Sequence, residues 1–198
     1  MRLGIMGGTF DPIHKGHLLI ARSAMREARL DRVLFLPDGD PPHKLPGTPD
    51  AHRLAMVRLA IAGQQGFEAS DMELRRQGTT YTVDTLEHLS ALAPGTELLY
   101  IVGSDTLRLF PTWKTAWKVA ALCRMIVAPR PGDSPEETRW LQRKLFADYG
   151  LETLLLSEPG PDISSTRIRE LLRAGQPADA LIPEAVAGYI RANKLYRE

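Results

Sequence analysis

The chain has 198 residues, of which 43% are hydrophobic and 25% charged, with a formal net charge of +1. That length supports one good hydrophobic core, so a single domain over 1–198 is expected, and the composition is that of a globular rather than an acidic, disordered chain. The near-neutral balance argues against a basic nucleic-acid binder, the single cysteine, Cys123, excludes an internal disulfide and a cysteine metal cluster, and no uncharged run approaches the roughly 20 residues that span a bilayer.

The N-terminus runs straight into glycines with no signal-type apolar segment, and a reducing, cytoplasmic setting is expected. Residues 3–6 predict a short buried strand. Leu18, Ala21, Met25 and Ala28 recur at helical spacing and predict a helix over 16–29 with one buried face. A strand at 33–36, a helix over 49–62, a strand over 68–74 and a helix over 82–92 follow. Residues 97–102 make the clearest central strand, because both of its faces are apolar. Cys123, in the apolar run before a strand at 124–128, reads as a small buried hydrophobe. Ser134, Pro135 and Glu137 signal a capped helix start, and that helix presents Leu141, Leu145 and Tyr149. A strand at 154–156 and helices over 164–173 and 183–192 close the chain. Trp117 and Trp140 read as packing residues. The alternation predicts an α/β fold: a Rossmann-like, doubly wound parallel sheet with C-terminal helices. Such sheets bind ligands beyond the carboxyl ends of their strands, so the loops there are where chemistry is to be sought.

The first of these loops contains Gly7, Gly8, Thr9, Phe10, Asp11, Pro12, His14, Lys15, Gly16 and His17. The glycines remove side chains where a phosphate approaches backbone. The loop is neither a Walker loop nor a dinucleotide Gly-x-Gly-x-x-Gly loop. His14 and His17, three apart at a helix mouth, have three readings: donors to a polyphosphate, metal ligands, or caps that pack the loop. Metal binding needs a third ligand, and none is near in sequence. The segment resembles the His-x-Gly-His signature of the nucleotidyltransferase superfamily. That resemblance implies that both histidines contact the phosphates of ATP and that Gly7, Gly8, Thr9 and Phe10 line the ATP site.

A second segment, Ile163, Ser164, Ser165, Thr166 and Arg169, resembles the superfamily's Ile-Ser-x-Thr-x-x-Arg signature. By itself it also reads as an ordinary amphipathic helix capped by Ser164 or Ser165. The resemblance implies that its N-terminus binds the ATP phosphates and that Arg169 stabilises them as charge develops. Lys44, in the Pro-x-His-Lys segment after the second strand, is implied to reach the phosphates, with His43 a weaker candidate. Gly103 and Asp105 end the central strand, where a glycine and an acid suit ribose hydroxyls.

Thr80 to Leu86 is similar to the Tyr-Thr-x-Asp-Thr-Leu segment of bacterial nicotinate-nucleotide adenylyltransferases. There the backbone and hydroxyl near the last threonine, here Thr85, recognise the pyridine carboxylate, and a tryptophan in the slot of Trp113 stacks on the ring. Lys114 stands where relatives often have tyrosine. The resemblance runs essentially the full length and implies transfer of AMP from ATP to nicotinate mononucleotide in NAD biosynthesis, with Mg2+ carried by the ATP and no metal held by the protein. A nucleic-acid or membrane partner is not expected, and a homo-oligomer is left open. Phosphopantetheine adenylyltransferases are the nearest sibling by fold, but His14, the Thr80–Leu86 string and Trp113 argue against them. A non-catalytic nucleotide sensor is the rival class; it would have no need to retain His14, His17, Lys44 and Arg169 together.

Overall fold

The computed structural model of the chain describes residues 1–40 and 47–197. His43 and Lys44 lie outside the described residues. Six strands form one sheet: β1 (Arg2–Gly8), β2 (Arg32–Pro37), β3 (Phe67–Ala69), β4 (Glu97–Gly103), β5 (Arg124–Ala128) and β6 (Thr153–Leu155). Their order is β3-β2-β1-β4-β5-β6 and every pairing is parallel. This is the Rossmann order, in which the chain direction across the sheet reverses between β1 and β4. Parallel strands put all their carboxyl ends on one edge, and that reversal opens a crevice there.

Helices cover both faces, as the doubly wound pattern requires. On one side, α1 (Lys15–Glu27), α2 (Asp50–Ile61), α7 (Ser165–Arg173) and α8 (Glu184–Ala192) pack over a core that includes Phe10, Leu18, Phe35, Met56 and Ile168. On the other, α3 (Thr82–Leu92), α4 (Ser104–Leu109), α5 (Ala116–Leu122) and α6 (Pro135–Tyr149) enclose Ile5, Leu86, Phe110, Met125 and Leu145. Cys123 is buried in this second core, and burial pushes its thiol up to about 12, so it is inert as a nucleophile.

Four expectations are corrected. β1 extends through Gly8, paired as Gly7 with Leu36 and Gly8 with Pro37, so the two glycines belong to the strand end rather than to the loop. The strand expected over 68–74 ends at Ala69; the Ser70 hydroxyl accepts the Met72 N–H, and a turn follows in which Arg75 N–H bonds Asp71. α4 and α5 were not predicted, being short elements of 6 and 7 residues over which a 3.6-residue period is hard to read. Trp117 and Trp140 are 64% and 55% exposed rather than packed. α5 buries Ala116 and Val119, α6 buries Thr138 and Leu145, and each tryptophan points off that face.

Candidate active site

The first loop leaves β1 at the sheet reversal and enters α1 through His14, the N-cap. The two histidines cap one another. The His17 N–H reaches His14 Nδ1 at 3.4 Å, and the His14 N–H donates to His17 Nδ1 at 3.2 Å. The rings lie stacked, with centroids 3.7 Å apart and planes 20° apart. Gly16 makes this stack possible, because a Cβ there would stand 2.9 Å from His14 Nδ1. The capping and phosphate readings of the pair are therefore not alternatives. With each Nδ1 accepting from backbone, the neutral ring carries its proton on Nε2, which is left to donate outward.

Both imidazoles are held neutral. Burial pushes His14 down to about 4, with the nearby Arg130 charge acting in the same direction. Burial also drives His17 well below its ordinary value, helped by His14 and Arg130. In the free protein at neutral pH the pair therefore offers hydrogen-bond donors rather than positive charge.

The late helix meets this loop. Ser164 caps α7 by accepting the Arg167 N–H. Ser165 donates to the Pro12 carbonyl at 2.9 Å. Arg169 donates to the Asp11 carbonyl at 2.7 Å and to the Thr166 hydroxyl at 3.3 Å. Ile163 packs at the rim of the first core. Residues separated by about 150 positions in the chain thus share one wall, and the N-terminus of α7 faces the same edge as that of α1.

Gly103 closes β4, and the Asp105 carboxylate accepts from Arg130 Nη2 at 2.8 Å. Arg130 was missed by sequence reasoning. It stands two residues beyond β5, at the carboxyl edge, and its charge is felt by both histidines. Its position just past a strand end was the available signal. Asp11 was also missed. It is buried; its Oδ1 accepts the Tyr196 hydroxyl at 2.6 Å and its Oδ2 the Gly47 N–H at 3.2 Å. Burial works to raise its pKa, but bonds from Thr48, Tyr196 and Gly47 and the charge of Arg169 outweigh it and hold the carboxyl below its usual range.

Some residues do not stand as expected. Phe10 is buried, its ring edge-on to His17 at 5.0 Å, so only its backbone can meet a ligand. Gly7 serves packing: a Cβ there would collide with the Tyr100 hydroxyl. Thr85 is fully buried, and its hydroxyl is committed to Glu73 at 2.6 Å and to Arg76 at 3.2 Å. Its N–H bonds the Tyr81 carbonyl. In this arrangement the Thr85 hydroxyl is therefore taken up inside the protein. The open donors of that helix end are the N–H groups of Thr82 and Val83, which have no partner among the described residues.

Around them, Trp113 is half-buried against Tyr100 at 5.9 Å and Phe110 at 5.6 Å. Lys114 Nζ lies 4.0 Å from the Tyr81 ring centre and 3.7 Å from Asp84. Burial, reinforced by the Glu73 and Asp38 charges, pushes the Tyr100 phenol up, and the Thr82 hydroxyl bonds it. The result is an aromatic recess beside a helix N-terminus, adjoining the polar edge of β1 and β4.

Among the described residues, no group of three or more His, Cys, Asp or Glu is placed to hold a metal ion, and no helix is long and apolar enough to cross a membrane.

Comparison with known proteins bears on this geometry. The family model described as cytidylyltransferase-like matches residues 5–171. A relative from Dehalococcoides mccartyi is 43% identical over 99% of this chain and 97% of its own length. One from Synechococcus sp. is 44% identical over 98% and 94%. Both are named "Probable nicotinate-nucleotide adenylyltransferase". Among solved structures, the nicotinic acid mononucleotide adenylyltransferase of Plasmodium falciparum complexed with NaAD superposes with a TM-score of 0.82, over 98% of this chain and 97% of that one, at 20% identity. At that identity the match bears on the fold alone. The sequence identity to curated relatives over nearly the whole length, on a sheet of this order, shows that the chain belongs to the nicotinate-nucleotide adenylyltransferase family within the cytidylyltransferase-like nucleotidyltransferases.

Proposed function

We propose that the chain transfers AMP from ATP to nicotinate mononucleotide, giving deamido-NAD and pyrophosphate, and that residues 1–198 act as one nucleotidyltransferase domain. The observation that carries this reading is the convergence of donors on the crevice between β1 and β4. The His14–His17 pair, Arg130, Arg169 and the N-terminus of α7 stand there on one edge.

The mononucleotide phosphate oxygen attacks the α-phosphorus of ATP in line. A new P–O bond forms, the bond from the α-phosphorus to the bridging oxygen breaks, and pyrophosphate takes the electron pair. The acceptor is already an anion, so no protein nucleophile is needed. Catalysis is positioning and charge stabilisation. The Nε2–H groups of His14 and His17 donate to phosphate oxygens, and Arg169, Arg130 and Lys44 supply positive charge as it builds on the β,γ-phosphates. Gly7, Gly8, Thr9 and Phe10 present backbone to the nucleotide, and Gly103 and Asp105 flank it. Each imidazole Nδ1 is used by backbone, so Mg2+ enters with the ATP phosphates, as part of the substrate, rather than on this pair.

The mononucleotide ring lies against Trp113, and its carboxylate meets the N–H groups of Thr82 and Val83 at the N-terminus of α3, where a helix favours an anion. Lys114 adds a cation at the rim of that recess. An amide in place of the carboxylate forfeits this charge preference.

The test is pyrophosphate release with ATP and magnesium, supplying nicotinate mononucleotide, nicotinamide mononucleotide or phosphopantetheine in parallel. Release with the nicotinate form far above the others is expected. Release with phosphopantetheine alone, or ATP binding with no release from any acceptor, overturns the proposal.

A further inference from the structure

Arg53, on α2, is the bulkiest fully buried side chain among the described residues, at 0% exposure. Burying a guanidinium is costly unless each donor is bonded, and an apolar side chain of like volume packs at lower cost. Its only carboxylate partner among the described residues, Asp50 at 2.5 Å, is itself 53% exposed. Its Nε has no partner among the described residues. The other two bonds go to backbone: Nη1 donates to the Thr9 carbonyl at 2.8 Å and Nη2 to the Asp38 carbonyl at 2.7 Å. Thr9 follows β1 and Asp38 follows β2, so one rigid fork ties the two strand ends together behind the candidate site.

A trans peptide is planar, and its C=O and N–H point opposite ways. A Thr9 carbonyl drawn inward onto Arg53 therefore turns the Phe10 N–H outward. That N–H has no partner among the described residues, and Phe10 sits at φ +47, a conformation costly for a side chain of its size. The same geometry turns the Gly39 N–H away from Arg53.

We propose that Arg53 is a positioning residue: from behind the sheet edge it locks the Thr9–Phe10 and Asp38–Gly39 peptides so that the Phe10 N–H is aimed at a nucleotide phosphate. This rests on the reading of that edge as the phosphate site. Arg53 never touches the ligand, and its effect belongs to ATP binding rather than to fold alone.

The experiment is steady-state kinetics of Arg53→Lys, which keeps the charge but loses the planar fork, at a temperature where near-UV dichroism shows it folded. A rise of tenfold or more in the KM for ATP is expected, with kcat and the KM for the mononucleotide changed less than threefold. Equal ATP parameters in the folded variant and wild type, with only a lower Tm, overturn the proposal. Should Arg53→Lys not fold, Asp50→Asn decides. Loosening of the fork at the half-exposed Asp50 is expected to raise the ATP KM at least threefold with Tm nearly unchanged, and an ATP KM within twofold overturns it. Wild-type turnover of nicotinate mononucleotide is measured alongside. Its absence condemns the functional reading, whereas its presence with unaffected variants condemns only the role of Arg53.

Discussion

The His14–His17 pair shows how one pair of side chains can cap a helix and still keep hydrogen-bond donors to spare. His17 Nδ1 accepts the His14 N–H, His14 Nδ1 shares the His17 N–H with the His14 carbonyl, and each Nε2–H remains as a donor. Charge-assisted bonds contribute about 1.5–3 kcal/mol each, so His17→Ala should lower kcat/KM by roughly tenfold to a few hundredfold. Steady-state assays check this, and a change of less than twofold would remove the pair from the chemistry. The depressed pKa values also predict a pH dependence of stability. The unfolded histidines take up protons near their ordinary value of 6.5, whereas folded His14 does so only near 4. Between those values the unfolded state binds more protons, so stability falls as pH drops from about 6.5 toward 4, by at most about 1.4 kcal/mol per pH unit for each histidine. Urea melts at pH 7 and pH 5 should show the loss, and His14→Gln should reduce it to the share of His17. Sequence spacing singled out these two residues. It could not give their tautomer or their neutrality, because both depend on burial and on Arg130, which arrives from a strand more than a hundred residues away.

At the scale of elements, the starts of α1, α7 and α3 organise the polar and aromatic halves of the crevice. A serine cap, Ser164 or Ser165, was legible; the structure selects Ser164, and Ser164→Ala should cost about 1 kcal/mol. For a chain of this length that is a fall in Tm of roughly 2–4 °C, readable by thermal denaturation. Gly16→Ala should cost more, since the added methyl meets His14 Nδ1 and must unstack the imidazoles. Its signature is a drop in ATP affinity together with the drop in Tm. At α3, Thr85→Val leaves the buried Glu73 without its hydroxyl donor. Burial already holds that carboxyl above its usual range, opposed by Thr85 and Arg76. Loss of the hydroxyl should therefore destabilise the helix start and weaken mononucleotide binding without changing the KM for ATP. Trp113→Ala should share that split. The string around Thr85 was visible in the sequence, but the direction of the hydroxyl was not, because its partners Glu73 and Arg76 come from the turn after β3, where residues through 74 read as strand.

Across the whole molecule, the sheet order gathers distant segments at one edge, and the C-terminal tail takes part. Tyr196 reaches Asp11, which in turn accepts from Gly47 and sits beside Arg169. Tyr196→Phe should lower Tm and weaken ATP binding together, as titration calorimetry and a melt can show, because it loosens the carboxylate that steadies the first loop. The sequence by itself determined the α/β class, the strands in outline, the two signature segments and the capped helix starts. Those features are local: alternation, helical period, capping chemistry and fixed spacing within about a dozen residues. Only the tertiary structure decided that β1 and β4 are neighbours, that Arg130 and Asp11 stand beside the candidate site, that Arg53 lies buried behind it, and that Trp117 and Trp140 face outward. Such facts depend on which elements meet across the sheet and on which face each helix turns inward, and contacts between residues far apart in the chain leave no periodic trace in the residues that make them.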